Sequence, residues 1–144
     1  MTVDWQQLPP GPQLRRKIAQ SAGWHMRKIP VSSGGVAYDF FIYDNDDRLA
    51  FHREITPEDL QTEEQTVTAT WLAAMEDEDT PRWDEDLEDA LWLIDKKPYQ
   101  AQSENGLYRA WVGSEQYHGQ GETEPLALMR AWLSWAQEHL HYDR

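Results

Sequence analysis

The stretch 36–54, VAYDFFIYDNDDRLAFHRE, decides the fold class of this 144-residue chain. Val36–Tyr43 is rich in β-branched and aromatic residues, which favour a strand. Residues 44–47 combine three Asp with one Asn, a composition typical of turns. Apolar and polar residues then alternate through Arg48–Glu54, which predicts a returning strand. The stretch therefore predicts an antiparallel β-hairpin.

A second hairpin is predicted later in the chain. Tyr99–Gln102 and Leu107–Val112 flank Glu104-Asn105-Gly106, and Asn-Gly is a favoured two-residue hairpin turn. The following residues 117–123, YHGQGET, are expected to form a glycine-containing loop. Two hairpins, rather than alternating βα units, predict the α+β class: an antiparallel sheet of two hairpins packed between helical layers, an α/β/α sandwich.

Four helices are predicted around these strands. The first begins at Pro12, has an apolar stripe and ends at Gly23, with the strand Trp24–Ile29 after it. The motif TPED at 56–59 starts a second helix that continues over residues 63–75. Asp84 is the expected N-cap of a third helix that ends near Lys97, and Thr123 caps the last helix.

Length and composition indicate one domain, residues 1–144, with an extended lead over residues 1–12. The chain has no cysteine, which excludes disulfides and thiolate metal sites and fits the cytoplasm. We see neither a signal peptide at the N-terminus nor a run of about 20 apolar residues, so no membrane partner is expected.

Negative charge is concentrated in one segment, residues 54–95, which we call the acidic band. It has fifteen acidic residues and one basic residue, Arg82, for a net charge of −14 in a chain whose total is −13. The first 53 residues have a net charge of +2. Because binding to nucleic acid requires Lys and Arg to neutralise phosphates, direct binding to nucleic acid is not expected.

The acidic band predicts a surface that binds the basic face of another protein. Residues 84–95 include six carboxylates in twelve positions, roughly one charge per 3 Å of helix against about 3.4 Å between phosphates of one DNA strand. This density permits mimicry of a nucleic-acid backbone, and a merely solubilising surface is the alternative. The predicted partner-binding residues are Glu76, Asp77, Glu78, Asp79, Asp84, Glu85, Asp86, Glu88, Asp89 and Trp92.

Two tryptophans, Trp92 and Trp135, are either exposed or buried in the core, and the sequence allows both. Trp132 fits the apolar stripe of the last helix, whereas Trp92 and Trp135 lie off the stripes of their helices. If they are exposed, they are candidate interface anchors, because Trp is enriched at binding hot spots. If helical layers cover both faces, they belong to the core.

Metal and catalytic chemistry find little support in the sequence. The His118/Glu122 and His139/His141 pairs lack the spacing of a zinc site, and the Asp44–Asp47 cluster lacks the glycine and glutamate of a calcium loop. Phosphate-binding, dinucleotide-binding and nucleophile-elbow motifs are absent from the sequence. We therefore predict no catalytic residues, no metal and no cofactor.

Four segments together resemble the phage ABA-sandwich domain family, over about half of the chain. They are LRRKIAQSAGW (14–24), WDEDLEDALWLI (83–94), LYRAWVG (107–113) and HGQGETEPLALMRAWLSW (118–135). The resemblance implies a small phage or prophage protein with an antiparallel sheet between helical layers. It implies no catalytic residue, because none is established for the family, and it places the protein in the host cytoplasm.

Two functions from different classes follow. The first, which the sequence favours, is a non-enzymatic phage or prophage accessory protein that binds a basic host protein through its acidic surface, as an inhibitor of a host defence or nucleic-acid-processing complex. The second is a small-ligand (nucleotide) binding or sequestering protein that uses Arg15, Arg16, Arg27 and Lys28 together with stacking tryptophans. A hydrolase is a third class, and a homo-oligomer is compatible with the sequence.

Overall fold

The structure, a computed structural model, describes residues 4–30, 38–55 and 63–140. Within these ranges the chain forms four helices and six strands, and the predicted α+β class is confirmed. The TPED motif, residues 36 and 37 of the first predicted strand, and His141 lie outside the described residues. In chain order the elements are α1 (Pro12–Ser21), β1 (His25–Pro30), β2 (Tyr38–Tyr43), β3 (Leu49–Ile55), α2 (Glu63–Glu76), α3 (Leu87–Ile94), β4 (Tyr99–Glu104), β5 (Leu107–Val112), β6 (Ser114–Gly121) and α4 (Glu124–His139).

The strands divide between two antiparallel sheets, and each predicted hairpin is the nucleus of one of them. Sheet A has the order β1-β2-β3, and sheet B has the order β4-β5-β6. The hairpin turn of sheet B is the predicted one, since Asn105 and Gly106 have φ angles of 55° and 83°, as the Asn-Gly turn requires. The expectation of a single sheet built from both hairpins is thus corrected to two separate sheets.

Strand β6 is the third strand of sheet B, and its residues include most of the predicted glycine loop. The loop prediction is wrong. Glycine is required in β6 because a neighbouring helix packs closely against the strand, not because the chain turns there. A Cβ atom on Gly119 would lie 2.5 Å from the backbone nitrogen of Ala131, and one on Gly121 would lie 2.8 Å from Cγ of Leu126. Glycine at these positions lets α4 approach the backbone of the strand.

Helix α4 is central to the core. The hydroxyl of Thr123 accepts a hydrogen bond from the Leu126 amide at 3.4 Å, so the predicted N-cap is confirmed. The helix packs against β5 and β6 and also contacts α1 and α3, while α2 packs against α1 and sheet A. Trp132 is buried in α4, as its stripe predicts. One hydrophobic cluster includes residues of all four helices and of both sheets.

The described part of the N-terminal lead is held against this core. Trp5 and Leu8 pack on the hydrophobic cluster. The guanidinium group of Arg130, in α4, donates hydrogen bonds to the carbonyl oxygens of Leu8 at 2.6 Å and Gln120 at 2.8 Å. Arg130 therefore fastens the lead to the end of β6.

Candidate functional site

The segment between α2 and α3 carries most of the predicted partner-binding residues, and Arg82 folds it back on itself. Its guanidinium group donates to the carbonyl oxygen of Glu76 at 3.1 Å, at the C-terminal end of α2. Its backbone amide donates to Oδ2 of Asp89 at 2.8 Å, in the first turn of α3. The two acidic clusters, 76–79 and 84–89, are thereby joined through one arginine, which also complements the C-terminal end of the α2 dipole.

Asp84 lies inside the protein, not on its surface. Its side chain is 0 % exposed, and its Oδ1 accepts a hydrogen bond from Nε of Arg15 at 2.7 Å. Its Oδ2 accepts the backbone amide of Gly11, the residue before α1, at 2.6 Å. The prediction that Asp84 belongs to an exposed binding surface is therefore wrong, because its charge is fully used in the interior.

Arg15, the partner of Asp84, is correspondingly buried, with 3 % of the residue exposed. Besides Asp84 it contacts the carboxylate of Glu85, and it donates to the carbonyl oxygen of Met75 at 2.9 Å. We call Arg15, Asp84 and Glu85 the inner ion cluster. Because all three guanidinium nitrogens of Arg15 have acceptors, this residue is not available to a ligand, and its proposed ligand-binding role is wrong.

Two further acidic residues have structural contacts. The carboxylate of Asp86 accepts the amides of Glu88 at 2.9 Å and Asp89 at 3.2 Å, so Asp86 is the N-cap of α3. The predicted N-cap, Asp84, is two residues too early, because Asp84 turns inward to Arg15. Asp89 in turn accepts the Arg82 amide. Both carboxylates therefore stabilise the start of α3.

The remaining carboxylates are more accessible. Glu76, Glu78, Asp79 and Glu88 are exposed, and Asp77 is half-buried. Among Asp84, Glu85, Asp86, Glu88 and Asp89, Glu88 is the one whose side chain makes no hydrogen bond or ion pair within the described ranges. Glu88 is therefore free to meet a partner without a structural penalty.

Trp92 is one helical turn after Glu88 and is 78 % exposed. Residues four apart on a helix are neighbours on its surface, and the opposite side of α3 is buried through Ala90 and Ile94. Exposed carboxylates precede and follow this pair along the chain. We call Glu88, Trp92 and Asp95, the last being the residue that follows the helix, the α3 outer face.

The other tryptophan in question has neighbours of its own. Trp135 stacks on the ring of His139 with centroids 4.9 Å apart, and Nζ of Lys97 lies 4.5 Å from its ring centroid. Trp135 is half-buried as a result. Of the two candidates, Trp92 is thus the exposed anchor, and Trp135 belongs to a local stack.

The cations proposed for ligand binding separate into two groups. Arg15 is in the inner ion cluster, whereas Arg16, Arg27 and Lys28 line one cleft, which also includes Trp24 and Trp71. Arg16 and Arg15 are adjacent in α1 but face different surroundings. The cleft is a basic surface, whereas the α3 outer face is an acidic one.

Metal-ligating groups are sparse among the described residues. Asp39, His52 and Glu54 offer atoms within 4.8 Å of one another on sheet A, and Nε2 of His52 already lies 3.2 Å from Oδ1 of Asp39. Neither His118 nor His139 joins a group of three ligands in the ranges that the structure covers. Asp44 accepts the amides of Asp46 and Arg48, which accounts for this acidic cluster as a turn.

Comparison with known proteins places the chain in no group. Searches of protein-family models, curated proteins and solved structures return no match. The resemblance to the phage family therefore stays a prediction. None of the helices in the described ranges combines the length and apolar character needed to cross a membrane.

Proposed function

We propose that this protein is a non-enzymatic interaction protein whose α3 outer face binds an arginine-containing basic surface of another protein. The proposal rests on the exposure of Trp92, a large aromatic side chain that is 78 % exposed. It lies beside Glu88, whose exposed carboxylate makes no hydrogen bond or ion pair among the described residues. Exposed tryptophans are typical of hot spots. The neighbouring carboxylates favour a partner with a positively charged surface.

Arginine fits this pair of side chains better than lysine does. A guanidinium group stacks on an indole ring through a cation–π contact, and it also forms two parallel hydrogen bonds with a carboxylate. Both contacts are available one helical turn apart on α3. An ammonium group is a compact point charge and lacks the planar fork.

The structure favours an ordinary basic protein surface over mimicry of nucleic acid. The α3 outer face carries two carboxylates, Glu88 and Asp95, which are seven residues apart, or roughly 10 Å at the rise of a helix. This spacing is wider than the ~3.4 Å of one DNA strand. The resemblance to phage proteins extends the proposal to a host protein as the partner.

The proposal is tested with two labelled peptides of equal length and charge, one arginine-rich and one lysine-rich, titrated with the full chain. Fluorescence anisotropy at several salt concentrations gives the affinities. We expect the arginine peptide to bind more tightly, with an affinity that falls as salt rises, because the charges are exposed. Trp92→Ser should remove the preference for arginine, a loss of about tenfold.

A charge-matched control separates a defined surface from general attraction. Glu88→Gln and Glu115→Gln each remove one exposed negative charge, but Glu115 lies on β6 in sheet B. We expect Glu88→Gln to weaken peptide binding and Glu115→Gln to leave it nearly unchanged. Equal losses in both variants, or full binding by Trp92→Ser, would refute the docking role of the α3 outer face.

A further inference from the structure

A basic cleft lies where the edge strand β1 faces α1 and α2. Its volume is about 890 Å³, within the range typical of small-molecule sites. Arg16 and Gln20 contribute from α1, Val67 and Trp71 from α2, and Trp24 lies just before residues 25–28 of β1, which also line the cleft. The cleft therefore offers both charged and apolar walls.

The charge of this cleft is opposite to that of the whole protein. Arg16, Arg27 and Lys28 line it, and the one carboxylate among its described lining residues is Asp47. Oδ1 of Asp47 lies 3.4 Å from Nε2 of His25, and its side chain is 83 % exposed at the rim. In a chain with a net charge of −13, such a cleft would concentrate anions locally.

Among the basic residues of the cleft, Arg16 is the one whose surroundings most favour the binding of an anion. It is half-buried, and its guanidinium carbon lies 5.8 Å from the ring centroid of Trp71. Its hydrogen bond, to Oγ1 of Thr68, is long at 3.5 Å, and no carboxylate pairs with it in the described part of the chain. Burial lowers the pKa of Arg16. Because water is partly excluded around Arg16, a bound anion would be attracted to it more strongly than to a fully hydrated cation.

Arg16 differs from the preceding residue, Arg15, in how many of its donors have acceptors. Arg15 is almost fully buried, and acceptors surround all of its guanidinium nitrogens. Arg16 has a cation–π contact and a single weak hydrogen bond. The fold thus satisfies one arginine of α1 completely, whereas the next one, which lines the cleft, has a single long hydrogen bond.

We propose that this cleft binds a nucleoside phosphate. The phosphate pairs with Arg16, with Lys28 beside it. The guanidinium group of Arg27 instead lies 5.6 Å from the ring centroid of Tyr43, on the face of sheet A opposite to Met26 and Lys28. The apolar wall formed by Trp24, Met26 and Val67 receives the base. The proposal is independent of the α3 outer face, because the two surfaces share no residue.

Calorimetric titration of the full chain tests this site with three kinds of probe: a panel of ribonucleoside monophosphates, the matching neutral nucleosides, and inorganic phosphate. We expect a nucleotide to bind most tightly, because it supplies both the anion and the ring. Nucleosides without phosphate should bind at least tenfold more weakly. Absence of binding by every nucleotide, or equal affinity for inorganic phosphate, would overturn the assignment.

Variants then locate the site. Arg16→Gln should lower nucleotide affinity by about tenfold or more, since a hydrogen bond between charged groups is lost, and Lys28→Gln should lower it less. Arg109→Gln is the matched control, because Arg109 is exposed on β5, away from the cleft. A loss of the same size in Arg109→Gln would contradict the site.

Stability measurements keep a ligand role distinct from a structural one. Because Arg16 has no ion pair in the described ranges, Arg16→Gln should leave the urea midpoint of unfolding unchanged or raise it. If Arg16→Gln instead lowers the midpoint as far as Arg15→Gln does, Arg16 is structural and the proposal fails. Failure of this experiment would not affect the peptide test of the α3 outer face.

Discussion

The inner ion cluster and the α3 outer face are built from the same run of acidic residues and behave in opposite ways. Asp84 is 0 % exposed and pairs with Arg15, while Glu88, four residues later, is exposed and unpaired in the described chain. The difference teaches that charge density along a sequence does not say which carboxylates face solvent. The inner ion cluster holds α1 to the α2–α3 segment, and the α3 outer face is free to bind a partner.

The largest effect is expected from breaking the inner ion cluster. Asp84→Asn leaves Arg15 buried with only Glu85 as a charged partner, so we expect the free energy of unfolding to fall by about 3 to 5 kcal/mol. Urea titration followed by tryptophan fluorescence measures it. Glu88→Gln is the matched control and should change the free energy by no more than about 0.5 kcal/mol.

Replacing both partners of the buried pair should cost less stability than replacing Asp84 alone. Arg15→Met combined with Asp84→Leu removes both charges, so no uncompensated ion is left inside. We expect the double variant to be more stable than Asp84→Leu alone, with a coupling free energy of about 1 to 3 kcal/mol. Additive losses in a double-mutant cycle would mean that the two side chains act separately.

A smaller effect is expected at the boundary between the two regions, where Asp86 caps α3. Asp86→Ala removes the acceptor for two amides of the first turn and should cost about 1 kcal/mol. Asp86→Asn keeps a capping oxygen and should cost much less. The pair of unfolding curves checks this, and equal curves would show that the cap contributes little.

The smallest effect on stability is expected at Trp92. Trp92→Ser removes a side chain that is mostly in solvent, so the free energy of unfolding should change by no more than about 0.5 kcal/mol. Thermal unfolding measured by circular dichroism checks it. A large loss would mean that Trp92 packs on the protein and is not an anchor for a partner.

Local signals in the sequence predicted much of the fold. The Asn105-Gly106 turn and the cap at Thr123 depend on a few neighbouring residues, so the sequence reveals them directly. Strand β6 was missed because Gly119 is required by the close approach of Ala131 in α4. That requirement acts between elements and leaves no local trace distinct from a glycine loop.

The candidate site was predicted only in part, for the same physical reason. The partner of Asp84 is 69 residues away in the sequence, so its burial could not be deduced from its own neighbours. One signal was available: Arg15 falls beside the apolar stripe Leu14-Ile18, where a charge needs a buried partner. Trp92 was foreseen as an anchor if exposed, and its exposure came from the structure.

The most direct test of the division between inner and outer carboxylates measures two properties of two variants. Asp84→Asn and Glu88→Gln are each assayed for the free energy of unfolding and for affinity to the arginine-rich peptide. We predict a crossed result: Asp84→Asn loses stability and keeps its affinity while folded, whereas Glu88→Gln keeps stability and loses affinity. Parallel changes in both properties for both variants would contradict the division.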